Sequence, residues 1–241
     1  MVKKAKKKLE PGQRKGWFKV FKGLLRLFIK KPRFVFLGEK FSDCCLVLSN
    51  HVGASAPLAL ECYFPKPFRF WGTYEMNSSL KEVYKYLSEI YFHQKKHWRL
   101  FWSKLFCLIA APFAYLFYRG LTLISTYRDH RFRTTLKESV KTIEAGASLV
   151  IFPEDSSKGY FSTITGFFSG FVTLAHICCK KGYDLPIYLS YLRKSDNVYI
   201  VDKPIYCSEL EASGLDKYEI AEMLRQRCNA LGKMEIEEVA K

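Results

Sequence analysis

No uncharged apolar run in this sequence reaches the roughly 20 residues that a helix needs to cross a bilayer. The longest, residues 105–118, is interrupted by Pro112. An obvious integral protein is therefore not expected. Nor is a signal peptide, because the stretch after the N-terminal lysines keeps breaking into charge and no small-residue cleavage site follows. The 8 cysteines form no CxxC and no Cys/His cluster of zinc-finger spacing. They read as reduced thiols of a cytosolic compartment, packed as small hydrophobes. A P-loop and a dinucleotide fingerprint are both missing, which argues against a nucleotide-binding enzyme. No helix-turn-helix, zinc or RNP-like signature is present, so no nucleic acid is expected as partner. Acidic residues are scarce beside basic ones, 23 against 39, for a net charge of +16. The partner is then anionic, and a bilayer surface or a phosphorylated substrate fits.

What is present belongs to a folded chain. Of 241 residues, 49% are hydrophobic and 16% aromatic, which excludes disorder and allows one domain with a real core. Apolar runs at 44–49, 121–126, 149–152, 185–191 and 198–201 read as strands. Helical spacing marks 58–63, 80–92, 105–118, 134–144, 167–181 and 218–231. The alternation predicts an α/β fold: a single domain with a central, largely buried sheet flanked by helices, preceded by a basic amphipathic helix. The expected division is 1–34 for a basic tail and membrane-contact helix and 35–241 for the main domain.

The lysines at 3, 4, 6, 7 and 8 repel one another, and Pro11-Gly12 closes that tail. Over residues 17–30, a period of about 100° per residue puts Trp17, Phe18, Phe21, Leu24, Leu25 and Phe28 on one face. Lys19, Lys22, Arg26 and Lys30 fall opposite. Such a helix can lie in the headgroup layer, each cation gaining about 1 kcal/mol near anionic lipid. Trp17, Phe18, Phe21, Lys22 and Arg26 are the expected membrane contacts; the bland alternative is a helix packed on the domain with a solvated basic face. Segment 105–118 is either core or a shallow membrane-contact element.

Reactive groups sit where strands end. Asn50-His51 follows one buried strand and Pro153-Glu154-Asp155 another, and ligands of α/β sheets gather beyond the carboxyl ends of strands. His51 and Glu154 are therefore expected to be neighbours. The other histidines lack such context: His93, His97 and His130 should be exposed, and His176 should be a core residue. Gly53-Ala54-Ser55-Ala56-Pro57 half-resembles a serine-hydrolase elbow, but proline replaces the last glycine and Asn-His stays unexplained.

Ser49-Asn50-His51 resembles the first block of the glycerophospholipid acyltransferase family, the 1-acylglycerol-3-phosphate acyltransferases, whose pattern is Asn-His, four residues, then Asp. Phe152-Pro153-Glu154-Asp155-Ser156-Ser157 is similar to their Phe-Pro-Glu-Gly-Thr-Arg. The stretch 120–128, ending at Arg128, looks like their second block, and Leu185-Pro186-Ile187 like the fourth. The resemblance implies transfer of a fatty acyl group from acyl-CoA or acyl carrier protein to the hydroxyl of a lysophospholipid or related lipid. His51 would be the general base, with a pKa near operating pH. Asn50, Arg128, Pro153, Glu154, Ser156 and Lys158 would line the acceptor. No metal or bound cofactor is implied, because the thioester arrives activated. The expected place is the cytoplasmic face of a membrane, peripheral or shallowly inserted.

Three positions depart from the pattern. Ala56 stands where the family has Asp, Asp155 replaces its Gly, and Ser157 replaces its Arg. Alanine cannot orient an imidazole. Either Asp155 or Glu61 supports His51, or the chain is a catalytically inactive membrane-binding member of the same fold.

Overall fold

The structure is a computed structural model that describes residues 10–156 and 159–236. The expected lysine tail lies outside the described residues, as does Lys158. Helix α1 (Gly16–Phe28) precedes strand β1 (Arg33–Phe36). Strand β2 (Leu46–Ser49) leads into α2 (Ser55–Tyr63) and β3 (Phe68–Thr73). A helical excursion follows: a 3-10 turn (Tyr74–Asn77), α3 (Leu80–Lys85), a π-helical segment (Tyr86–Lys95) and α4 (Leu100–Leu121). The chain then runs through β4 (Ile124–Thr126), α5 (Phe132–Glu144), β5 (Ser148–Ile151), α6 (Gly170–Lys180), β6 (Pro186–Arg193), β7 (Val198–Val201), β8 (Ile205–Tyr206), α7 (Cys207–Ala212) and α8 (Lys217–Lys233).

The strands form one sheet in the order β1-β7-β6-β2-β5-β3-β4, with β8 also paired to β6. From β6 to β4 neighbouring strands run parallel, while β7 and β8 oppose β6. The α/β class read from the sequence is the observed one. Leu46 of β2 lies opposite Leu149 on one side and Ile187 on the other, so β2 is central. Its LVLS run is buried at every position, as a strand covered on both faces requires. Side-chain alternation sends Leu46 and Leu48 to a core shared with α5, α6 and α8, and Val47 to a second core beneath α1 and α2. Because β2, β3, β4, β5 and β6 point the same way, their carboxyl ends share one edge of the sheet.

The N-terminal segment is part of this body, which corrects the division at 34/35. That boundary cuts β1, which pairs with β7 from Arg33 to Phe36. Arg14 donates two hydrogen bonds to the buried Glu61 of α2, at 3.1 and 2.6 Å, and a third to the Phe68 carbonyl. Phe18 is fully buried, and a side chain on Gly120 would collide with its ring at 1.9 Å. Only glycine allows α1 to come this close to α4.

Two of the expected membrane contacts, Phe18 and Lys22, are thereby corrected, while Arg26 stays exposed. Phe18 faces the core, Lys22 reaches Glu61 at 3.5 Å, and the Arg26 guanidinium donates to the Cys62 carbonyl. Trp17 and Phe21 do face outward, together with Val20, Leu24, Leu27 and Phe28. Lys22 turns inward because α2 offers it a carboxylate, while Lys19, Arg26 and Lys30 stay exposed. The length of the apolar segment is corrected too. Helix α4 has 22 residues, long and apolar enough to cross a membrane by length and composition, and Pro112 does not end it.

The sequence reading omits β1, β3, β8 and α7. Strand β3 carries Arg69 in mid-strand, a residue that reads as a break. Its guanidinium bends back to the Thr122 and Leu123 carbonyls and is satisfied within the fold. His176 is not in the core: it is exposed on α6 and pairs with Glu211 at 2.5 Å. His93, His97 and His130 are exposed as expected.

Candidate active site

The site begins where β2 ends. Asn50 is buried, and its side-chain amide both accepts from the Leu192 N–H at 2.7 Å and donates to the Leu192 carbonyl at 3.1 Å. It extends the pairing of β2 with β6, so the side chain is engaged within the fold. Past Asn50 the chain turns sharply. Val52 and Gly53 both take positive φ, 41° and 63°, before α2 starts. Positive φ is costly for a β-branched residue, and strain of this kind gathers at functional sites. The turn leaves His51 at the strand edge.

The end of β5 supplies the other half. The 153–155 stretch pairs with 166–168: the Asp155 N–H donates to Gly166 O, the Phe168 N–H donates to Pro153 O, and Glu154 bridges Phe167. Pro153 is thus a buried positioning residue rather than an acceptor contact. This pairing aims the Glu154 carboxylate at β2, where it accepts the backbone N–H of His51 at 3.0 Å. The expected neighbourhood of His51 and Glu154 is observed. Burial raises the Glu154 pKa, opposed by that N–H and by Lys95.

The His51 imidazole packs against two rings, Phe152 and Tyr160, each with its centroid 4.8 Å away. Burial lowers its pKa to about 4, and the charges of Lys95 and Lys96 push in the same direction. The ring is therefore neutral at pH 7 but a weaker base than a free imidazole, which corrects the expectation of a pKa near operating pH. Its Nδ1 is buried without a hydrogen-bond partner. Glu61, one of the two carboxylates put forward to support it, is engaged elsewhere. It is held by Arg14, and Ala56 is fully buried in the apolar core beside Leu60. Asp155 favours the charged form of Lys95.

Several residues of this site were not expected. Lys95, the last residue of the π-helical segment, donates to Ser156 Oγ at 2.7 Å. Its ammonium and that of Lys96 lie 5.3 and 5.7 Å from the centre of the Tyr160 ring. Arg128, after β4, lies over Phe168, and its charge is felt at Lys95. Burial foremost, then Arg128, lowers the Lys95 pKa. The signal for the lysines was the adjacent pair Lys95-Lys96 itself, in a chain that lacks an arginine at position 157. The chain matches no family model, and no curated protein matches it significantly.

Proposed function

We propose that this chain is a membrane-associated acyltransferase that moves a fatty acyl group from a thioester to the hydroxyl of a lysophospholipid or a related lipid. One observation carries the reading most: the contact between His51 and Glu154, which joins the two most family-like sequence blocks across 103 positions of the chain. In the proposed reaction a neutral His51 nitrogen takes the proton of the acceptor hydroxyl. The oxygen attacks the thioester carbonyl carbon, the C–S bond breaks, and the departing thiolate takes the proton back from the imidazolium. Glu154 fixes the His51 backbone, and Arg128 and Ser156 lie on the acceptor side.

The surface around α1 and α4 supports the membrane part. The outward residues of α1 and the exposed Phe101, Leu108, Ile109 and Phe113 of α4 form a large apolar surface of the sort that marks a membrane or protein contact. One side of α4 packs on α1, α3 and the π-helical segment, so the helix is taken to lie in the interface rather than to cross it.

A second reading, an inactive membrane-binding member of the same fold, is favoured by the orphaned Nδ1 of His51 and the ring of Tyr160 stacked on the imidazole. The test is transfer of a labelled acyl group from acyl-CoA and from acyl carrier protein to a panel of lysolipids and lipid alcohols on anionic vesicles. Product with any acceptor supports the enzyme. Vesicle binding with no product from any of them supports the inactive reading.

A further inference from the structure

A histidine acting as general base needs its ring held in one orientation, commonly by a carboxylate bonded to Nδ1. Here none reaches it. Position 56 is an alanine packed in the apolar core, Glu61 is held by Arg14, and Nδ1 has no hydrogen-bond partner.

A different arrangement surrounds the ring. Phe70, Phe152, His51 and Tyr160 form one run of rings, with successive centroids 5.9, 4.8 and 4.8 Å apart. All three spacings suit favourable ring contact, which spans about 4.5–7 Å. On one side the sheet supplies a fixed wall: Phe70 is buried in β3, and Phe152 directly follows β5. The other wall, Tyr160, comes from the connection between β5 and α6 and has no strand to hold it. The ammonium groups of Lys95 and Lys96 lie 5.3 and 5.7 Å from its centroid, inside the cation–π range of about 6 Å. Lys95 is held in turn by Ser156 Oγ and by the charges of Glu154 and Asp155. The Tyr91 ring flanks Tyr160 at 6.5 Å.

We infer that Tyr160 is the positioning residue of His51: its ring, pinned by Lys95 and Lys96, clamps the imidazole against Phe152 and does the orienting that a carboxylate at position 56 would do. Stacking fixes the plane of the ring but does not stabilise an imidazolium, so the clamp restores orientation and not basicity. Its value for acyl transfer rests on the function proposed above, whereas the clamp itself does not.

NMR relaxation of the His51 ring in the full chain, with the exposed His130 as reference, tests the clamp without turnover. The order parameter should be about 0.85 in the native chain and in Tyr160→Phe, and below about 0.6 in Tyr160→Leu. In acyl transfer on anionic vesicles, Tyr160→Leu should lower kcat about 10- to 100-fold and leave KM within about threefold. Tyr160→Phe, which keeps the ring, should rescue the rate. If the leucine variant melts early, the native chain still decides: a His51 ring as mobile as His130 overturns the clamp. An equally ordered ring in the native and leucine chains overturns it too. A rigid, Tyr160-dependent ring in a chain that transfers no acyl group would keep the clamp and reject the enzyme. Equal kcat in the native and leucine chains would keep the enzyme and reject the clamp.

Discussion

Helices α4 and α6 are both strongly apolar, yet the fold treats them in opposite ways. In α6 the large residues Phe171 and Leu174 point inward and are buried with Ala175 and Cys178. In the N-terminal half of α4 the residues at the domain side are small: Ser103, Cys107 and Ala111, one turn apart. The large residues there point away, with Phe101, Ile109 and Phe113 each about 70% exposed, whereas Phe117 and Leu121 at the other end pack on the core. A soluble surface helix does the reverse, burying its bulk and showing polar groups. Leaving so much apolar area in water costs about 25 cal/mol per Å², and a lipid surface removes that cost. The direction of the large side chains, more than composition, separates a core helix from one whose apolar face is left uncovered.

That contrast can be broken at several points. The largest effect is expected at Glu61, which ties the N-terminal arm and its outward face to the domain. Glu61→Ala strands Arg14 beside an empty site and should cost about 3–5 kcal/mol in chemical denaturation. For the same reason, deleting residues 1–30 would test stability rather than docking, because Arg14 would go with them. Next, Leu174→Ala should cost about 2–5 kcal/mol by opening a cavity, while Ile109→Ala should change stability by less than about 0.5 kcal/mol. Equal losses would mean that α4 is core after all. In vesicle sedimentation the order should invert: Ile109→Glu with Phe113→Glu should reduce binding at least tenfold without altering the melting temperature.

The smallest effect concerns His51. Its pKa falls from 6.5 to about 4 on folding, so the folded state resists protonation. The stability this contributes is present above the unfolded value and is lost as pH falls through the folded one. NMR titration of the imidazole should give a value near 4, rising when Lys95 and Lys96 are both changed to Gln. A value near 6.5 in the native chain would contradict the buried, cation-flanked ring.

How much of this was legible in the sequence depended on the range of the interactions. Short buried strands such as 198–201 and the placement of His51 and Glu154 at strand ends follow from local pattern and sheet topology. The role of Asn50 was not legible, because a side chain that completes pairing with Leu192 looks the same as one that faces a substrate. The contacts of Lys22 and Arg26 depend on acceptors in α2, more than thirty residues away in sequence. Lys95 and Lys96 read from the sequence only as an adjacent basic pair, since it is the π-helical excursion that brings them over Tyr160.

The most direct measurement compares acyl transfer by the native chain and by His51→Gln on anionic vesicles, with the acceptor that gives most product. The account predicts transfer by the native chain and a fall of about 10²–10⁴ in rate for the variant, with vesicle binding intact. Equal rates in the two proteins would remove His51 from the chemistry and contradict the account.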